Sequence, residues 1–138
     1  MSEQMTDTPT DNDLPVLEFV DAVPGLPGMS RCVLVQIDEA GALFRLQSVV
    51  DPDLRLVVAA PSFFYAEYAP EIDEDTAASI HLDDVADALL LVVITVGASL
   101  AESTANLMAP IVVNQRTRQA VQVLQLEGSH SLREPLPV

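Results

Sequence analysis

The sequence predicts a mainly β protein, a single barrel-like antiparallel β-domain with one or two short helices. Three observations predict it. Seven short runs of β-forming residues are separated by clusters of Pro, Gly and Asp. Several runs alternate with the two-residue period of a strand that buries one face. The hydrophobic 49% includes no Trp and few aromatics, so the core must be built from Val, Leu, Ile and Ala, which pack well on a pleated surface. A chain of 138 residues is the size of one domain and buries about two-thirds of the surface its unfolded form exposes.

Residues 1–13 are polar and acidic without periodicity, and are expected to be a disordered tail ahead of a domain spanning 14–138. The first run is Leu14–Val20. Val23 to Gly28 then holds two Pro-Gly pairs, each suited to the central positions of a type II turn. Arg31–Ile37 follows, then Ala42–Val49, where Leu43, Arg45, Gln47 and Val49 share one face and Phe44, Leu46 and Ser48 the other. Asp51-Pro52-Asp53 reads as a tight hairpin into Leu54–Ala59. Phe63, Phe64, Tyr65 and Tyr68 gather most of the aromatics in one stretch. Residues 73–81 read as a short helix with Asp73 as N-cap and acids in its first turn, where they meet the positive end of the helix dipole. Ala88–Val96 is apolar on both faces, which makes it the central strand covered on both sides. A second helical turn is expected around Ser99 to Ser103. Pro110–Asn114 and Ala120–Leu126 close the chain of strands, joined by a loop that places Arg116 and Arg118 in solvent.

The charge narrows the function. Twenty-one acidic residues stand against six basic ones, for a formal net charge of -15, and all six bases are arginines. Without Lys there is neither a P-loop nor a Schiff-base amine. Nucleic acid and anionic membranes would be repelled, and basic partners attracted; solubility alone is the competing reason for such a charge. The single Cys32, inside the apolar run Cys32-Val33-Leu34-Val35, excludes an internal disulfide and reads as a small core residue. The N-terminus lacks the basic and apolar regions of a signal peptide, and the longest apolar run is about half a membrane span. A cytoplasmic protein is expected.

Catalytic patterns do not form. Asp73-x-Asp75 could open a calcium loop, but Ala78 and Asp84 stand where an EF-hand needs Gly and Glu. Asp83, Asp84 and Asp87 read as a solvated loop before a strand. His81 and His130 have no metal-ligand spacing. Neither a nucleophile elbow nor a Cys-His arrangement occurs, and Pro27 removes a donor that a phosphate cradle would need. No enzyme activity, metal or cofactor is expected. What remains is surface: Gln47, Asn106, Asn114 and the Phe63–Tyr68 stretch. Each also has a plain structural reading, with Asn114 as a turn residue, Asn106 satisfying loop backbone and the aromatics as a lid over the core.

Taken in order, these residues resemble a known family. Gly25-Leu26-Pro27-Gly28 precedes a strand; Leu46-Gln47-Ser48-Val49 leads into Asp51-Pro52-Asp53-Leu54; and Ala105-Asn106-Leu107-Met108-Ala109-Pro110-Ile111-Val112-Val113-Asn114 follows at the family's spacing. From about Leu14 to Leu126 the chain resembles FliW, the flagellar assembly factor family. Met29 stands where that family usually has an aromatic, and the stretch after Leu126 carries no family motif. The resemblance implies a β-barrel-like fold and two partners. FliW proteins bind flagellin and also CsrA, the regulator that represses flagellin translation; free FliW relieves that repression, and accumulated flagellin takes FliW back. A monomer when free is expected. The expected contact surface is the aromatic–acidic region Phe64, Tyr68, Glu71, Asp73 and Glu74, with the loop around Asn106. Two other functions stay open: within the resemblance, an acidic flagellin chaperone or adaptor without CsrA contact, and, from the residues, a small-ligand-binding β-barrel.

Overall fold

A computed structural model describes residues 16–21, 27–51, 53–66, 68–125 and 131–137. The expected tail, the first Pro-Gly pair, Leu126 and His130 lie outside the described residues. Nine strands form one sheet: β1 (Val16–Phe19), β2 (Arg31–Gln36), β3 (Leu43–Ser48), β4 (Arg55–Ala59), β5 (Ala88–Thr95), β6 (Thr104–Ala105), β7 (Ile111–Asn114), β8 (Gln119–Gln122) and β9 (Glu134–Pro135). One α-helix, α1, covers Glu74–Ser79, and short 3-10 turns sit at Pro27–Met29, Pro61–Phe63, Val85–Asp87 and Leu100–Glu102.

The sheet closes. Its order runs β4-β3-β2-β1-β8-β7-β5, and β5 returns to β4 through Val57↔Ile94, Val58↔Val93 and Ala59↔Val92. The result is a seven-stranded barrel, the expected architecture, and closure removes the exposed edges an open sheet would carry. Every pairing is antiparallel except β1–β8, which is parallel through Glu18↔Gln119 and Phe19↔Ala120. Strand β5 serves three neighbours: β7 and β6 in succession along one edge and β4 along the other.

Alternation sorts the side chains into one interior and two outer clusters. Inside the barrel lie Leu17, Cys32, Leu46, Val58, Leu91 and Ile111, with others. Outside, Ala59, Val92, Ile94 and Ala105 pack under Phe64, Tyr65, Tyr68 and the C-terminal Leu136. On the other flank Val112 and Val121 pack under Ile80, at the end of α1. Strand β5 therefore buries Leu91 inward and Val92 and Ile94 outward, which is why its sequence is apolar on both faces. The alternation read in Ala42–Val49 also holds, with Leu46 and Ser48 on the buried side.

The second Pro-Gly pair departs from expectation. Pro27-Gly28 does not form a type II turn; it enters a 3-10 turn and places Met29 fully inside the core. Packing is close there: a Cβ at Gly28 would lie 2.9 Å from Leu54 Cδ2, so the Leu54 side chain would have to shift. The Gly28 carbonyl accepts from Ser48 Oγ at 2.6 Å. Met29 is fully buried in the interior, and Cys32 Sγ donates to its carbonyl at 3.0 Å.

Burial pushes the Cys32 thiol up from 9.0 to about 11. At pH 8 the native protein should therefore react with a thiol reagent at least about 100-fold more slowly than the unfolded chain. Native-rate labelling equal to that in denaturant would contradict the interior position. Since the folded value lies above the unfolded one, this group's contribution to stability is complete below pH 9 and is lost as pH rises toward 11.

Strands β6 and β9 have no counterpart in the sequence reading. Each is two residues long, and β9 contains Pro135, which only an edge strand tolerates. They extend the sheet beyond β5 and draw the C-terminus against it, where Tyr65 donates from its hydroxyl to Pro135 O at 2.9 Å.

Candidate functional site

The segment from Phe64 to Glu74 runs along the outside of the barrel. Its aromatics are anchored. Tyr68 donates from its hydroxyl to Leu107 O at 2.6 Å, and burial pushes its phenol up to about 12. Phe64 and Tyr65 lie tilted with centroids 6.4 Å apart, and Phe64, Tyr65 and Tyr68 pack on the outer cluster. Asn106 stands beside this contact, and its Oδ1 accepts from Met108 N at 3.0 Å and Ala109 N at 3.2 Å. The structure thus brings Phe64, Tyr68 and the Asn106 loop together, 40 residues apart in sequence. The plain structural readings of Asn106 and of the aromatics both describe what these groups do.

The acids lie further along. Glu71 is tied to β8's continuation by a reciprocal pair: Glu71 N donates to Gln125 Oε1 at 3.2 Å, and Gln125 Nε2 donates to Glu71 O at 2.9 Å. Asp73 caps α1 by accepting from Thr76 N at 2.7 Å, and hydrogen bonding from the Thr76 side chain, then from its backbone N–H, holds the Asp73 carboxyl below the usual range. Its contribution is present above the ordinary carboxylate range and is lost as pH falls through the lowered value. Glu74 and Asp75 follow in the first turn, both exposed. Seven of the 21 acidic residues fall between Glu71 and Asp87, so this flank concentrates negative charge.

The turn role read for Asn114 holds, since its Oδ1 accepts from the turn that follows β7, but sequence reasoning missed that the same amide holds this flank in place. Asn114, read as a turn residue, is fully buried at the end of β7. Its Nδ2 donates to Ile80 O at 2.9 Å and His81 O at 3.0 Å, and its Oδ1 accepts from Arg116 N at 2.9 Å and Thr117 N at 3.4 Å. All four of its hydrogen-bonding positions are used. The two carbonyls are those at the end of α1, whose chain reverses through His81 at φ 57°, with Leu82 N donating to Ala77 O and His81 N to Ala78 O. This is a Schellman ending built on a non-glycine residue, and Asn114 completes it from the outer face of β7. Arg116, exposed to solvent as expected, also reaches back from the same turn: it donates to His81 O at 3.2 Å and pairs with Asp83 at 3.6 Å and Asp87 at 3.7 Å. Only the Asn-x-Arg-Thr order after an apolar strand could have signalled it.

Among the described residues no His, Cys, Asp or Glu cluster could hold a metal ion, and no helix is long and apolar enough to cross a membrane. Apolar side chains fill the barrel, while anchored aromatics and a strongly acidic flank shape its outside. These features define a β-barrel whose distinctive chemistry lies on its outer surface. Comparison with known proteins agrees on which one. The family model described as FliW protein matches residues 2–136. The flagellar assembly factor FliW of Bacillus licheniformis is 33% identical over 118 residues, covering 86% of this chain and 82% of that protein. Its counterpart in Leptospira interrogans is 33% identical over 122 residues, covering 88% and 81%. A crystal structure of the flagellar assembly factor FliW superposes with a TM-score of 0.83 at 26% identity, covering 93% of this chain and 88% of that one. The chain belongs to the FliW family of flagellar assembly factors.

Proposed function

We propose that this protein binds flagellin and the translational regulator CsrA in the cytoplasm, as a monomer when free, and couples flagellin synthesis to secretion by exchanging one partner for the other. The observation that carries this reading is the concentration of acids from Glu71 to Asp87 on one flank of a chain of net charge -15. CsrA is a basic RNA-binding dimer, and such a flank would steer toward it over about one Debye length, roughly 8 Å in physiological salt. Binding there need not imitate RNA; a partner bound away from the RNA surface can act through linkage. The proposed contact surface is Phe64, Tyr68, Glu71, Asp73, Glu74 and Asn106. In it Glu71 and Glu74 offer free carboxylates, Asp73 sets the start of α1, and Phe64, Tyr68 and Asn106 fix the shape of the platform.

Two narrower readings compete. A dedicated flagellin chaperone would bind flagellin and give no CsrA signal. A small-ligand barrel would need polar groups converging on an internal space, whereas Leu17, Cys32, Leu46, Val58, Leu91 and Ile111 fill the interior. Calorimetric titration with CsrA, repeated after loading with flagellin, separates them. Tight CsrA binding abolished by flagellin is expected; heat with flagellin and none with CsrA would reduce the protein to a flagellin chaperone.

A further inference from the structure

Register places Arg31, Arg45 and Arg55 on the outward face of β2–β3–β4: Gln47 stands opposite Val33 and Arg55, Arg45 opposite Val35 and Val57, and Val49 N bonds Arg31 O. Half of the chain's six cations thus share one patch of three strands. Arg31 is paired with Glu18 at 3.8 Å, but Arg45 and Arg55 make no ion pair among the described residues. Arg45 Nε is buried and has no hydrogen-bond partner among them. With no carboxylate against Arg45 among the described residues, its buried Nε is an unmet donor.

Beside it the same face opens into a groove of about 300 Å³, lined by Ile37, Leu43, Val57, Ile94, Val96 and Leu100. Leu43 is two residues from Arg45 on one strand, and Val57 is its direct cross-strand neighbour, so Arg45 stands at the groove's rim. Ile37, Val96 and Leu100 are 45%, 63% and 43% exposed. Leu43, Val57 and Ile94 also belong to the outer cluster that the aromatics cap, so the groove is the uncapped end of that cluster.

We propose that this face docks an acidic amphipathic segment of a partner protein, its apolar side chains in the groove and a carboxylate on Arg45, with Arg55 beside it. Charge complementarity selects this occupant: a basic segment is drawn to the Glu71–Asp87 flank, while here half-buried Arg45 and exposed Arg55 lie next to the apolar lining. The surface is therefore a second docking face, opposite in sign to the acidic one, and lets the barrel take two chemically different partners.

The test uses the full chain and two fluorescein-labelled amphipathic peptides with the same leucine pattern, one with Glu and one with Lys at the polar positions. Anisotropy titrations at low salt should show the Glu peptide binding in spite of the protein's net charge. Ile37→Glu and Arg55→Glu, both on exposed positions and checked by thermal melting, should each weaken it about tenfold, as should Arg45→Gln, and none should weaken the Lys peptide. Three results would overturn the proposal: no binding of the Glu peptide, Glu-peptide binding indifferent to all three substitutions, or sedimentation showing a dimer that Ile37→Glu splits, which would make the groove a contact between copies.

Discussion

Asn114→Ala should destabilise the protein by about 3 kcal/mol and lower its melting temperature by about 10 °C. The substitution strands four partners at once. The carbonyls of Ile80 and His81 lose their amide donor, and the N–H groups of Arg116 and Thr117 lose their acceptor, at a site where Asn114 itself is fully buried. An orphaned buried polar group costs about 1–3 kcal/mol, so two of these left dry would account for the loss. Thr117 Oγ1, which also donates to Ile80 O at 3.2 Å, offers partial compensation and keeps the figure from rising further. Arg116→Ala is the control. Its guanidinium contacts with Asp83 and Asp87 are exposed, so less than about 1 kcal/mol should be lost. Denaturant melts decide the matter: losses of equal size in the two variants would mean that the turn is held by surface ion pairs and not by the buried amide.

Reversing the charge of Glu71, Glu74 and Asp75 together to Lys should slow association with CsrA by about tenfold or more at low salt. The net charge changes by six, from -15 to -9, and the change is concentrated where the carboxylates are free. Asp73 is left in place because its carboxylate caps α1, and losing the cap would confuse a folding defect with a binding one. The signature of steering is its salt dependence. The gap between variant and parent should shrink as ionic strength rises toward physiological values, where the Debye length falls to about 8 Å. An association rate that is unchanged at every ionic strength would remove the acidic flank from CsrA recognition, and with it the observation on which the proposed function rests.

Much of the fold is legible in local pattern. The runs around β1 to β5, β7 and β8 follow from residue type and period, because a strand with one buried face writes a two-residue alternation into the chain. Helix α1 with its Asp73 cap and the turn at Leu100–Glu102 were equally legible, since a cap acts within three residues. The hairpin after β3 also formed as expected, with Leu54 N donating to Asp51 O at 2.9 Å. Strands β6 and β9 were not legible, because two residues carry no period and Pro135 argues against a strand. Pro27-Gly28 suited a type II turn by propensity, but the chain forms a 3-10 turn there that buries Met29.

The site divides along the same line. Asp73 and Glu74 announce their place by position in a helix, and the acidity of their flank is a plain count along the chain. That Tyr68 meets the Leu107 carbonyl, that Gln125 clasps Glu71, and that the outward faces of three strands gather Arg31, Arg45 and Arg55 could not be read before strand register was known. By itself the sequence determined a β-rich domain with an aliphatic core, a buried unreactive cysteine, a capped helix and an acidic surface, since each of these depends on residue type and near neighbours. Only the tertiary structure decided barrel closure through a parallel β1–β8 pair, the burial of Asn114 beneath the end of α1, and the gathering of Arg31, Arg45 and Arg55 on one sheet face. Those depend on which distant segments meet, and contacts of that range are set by how the closed sheet packs its two outer clusters, not by any local preference of the chain.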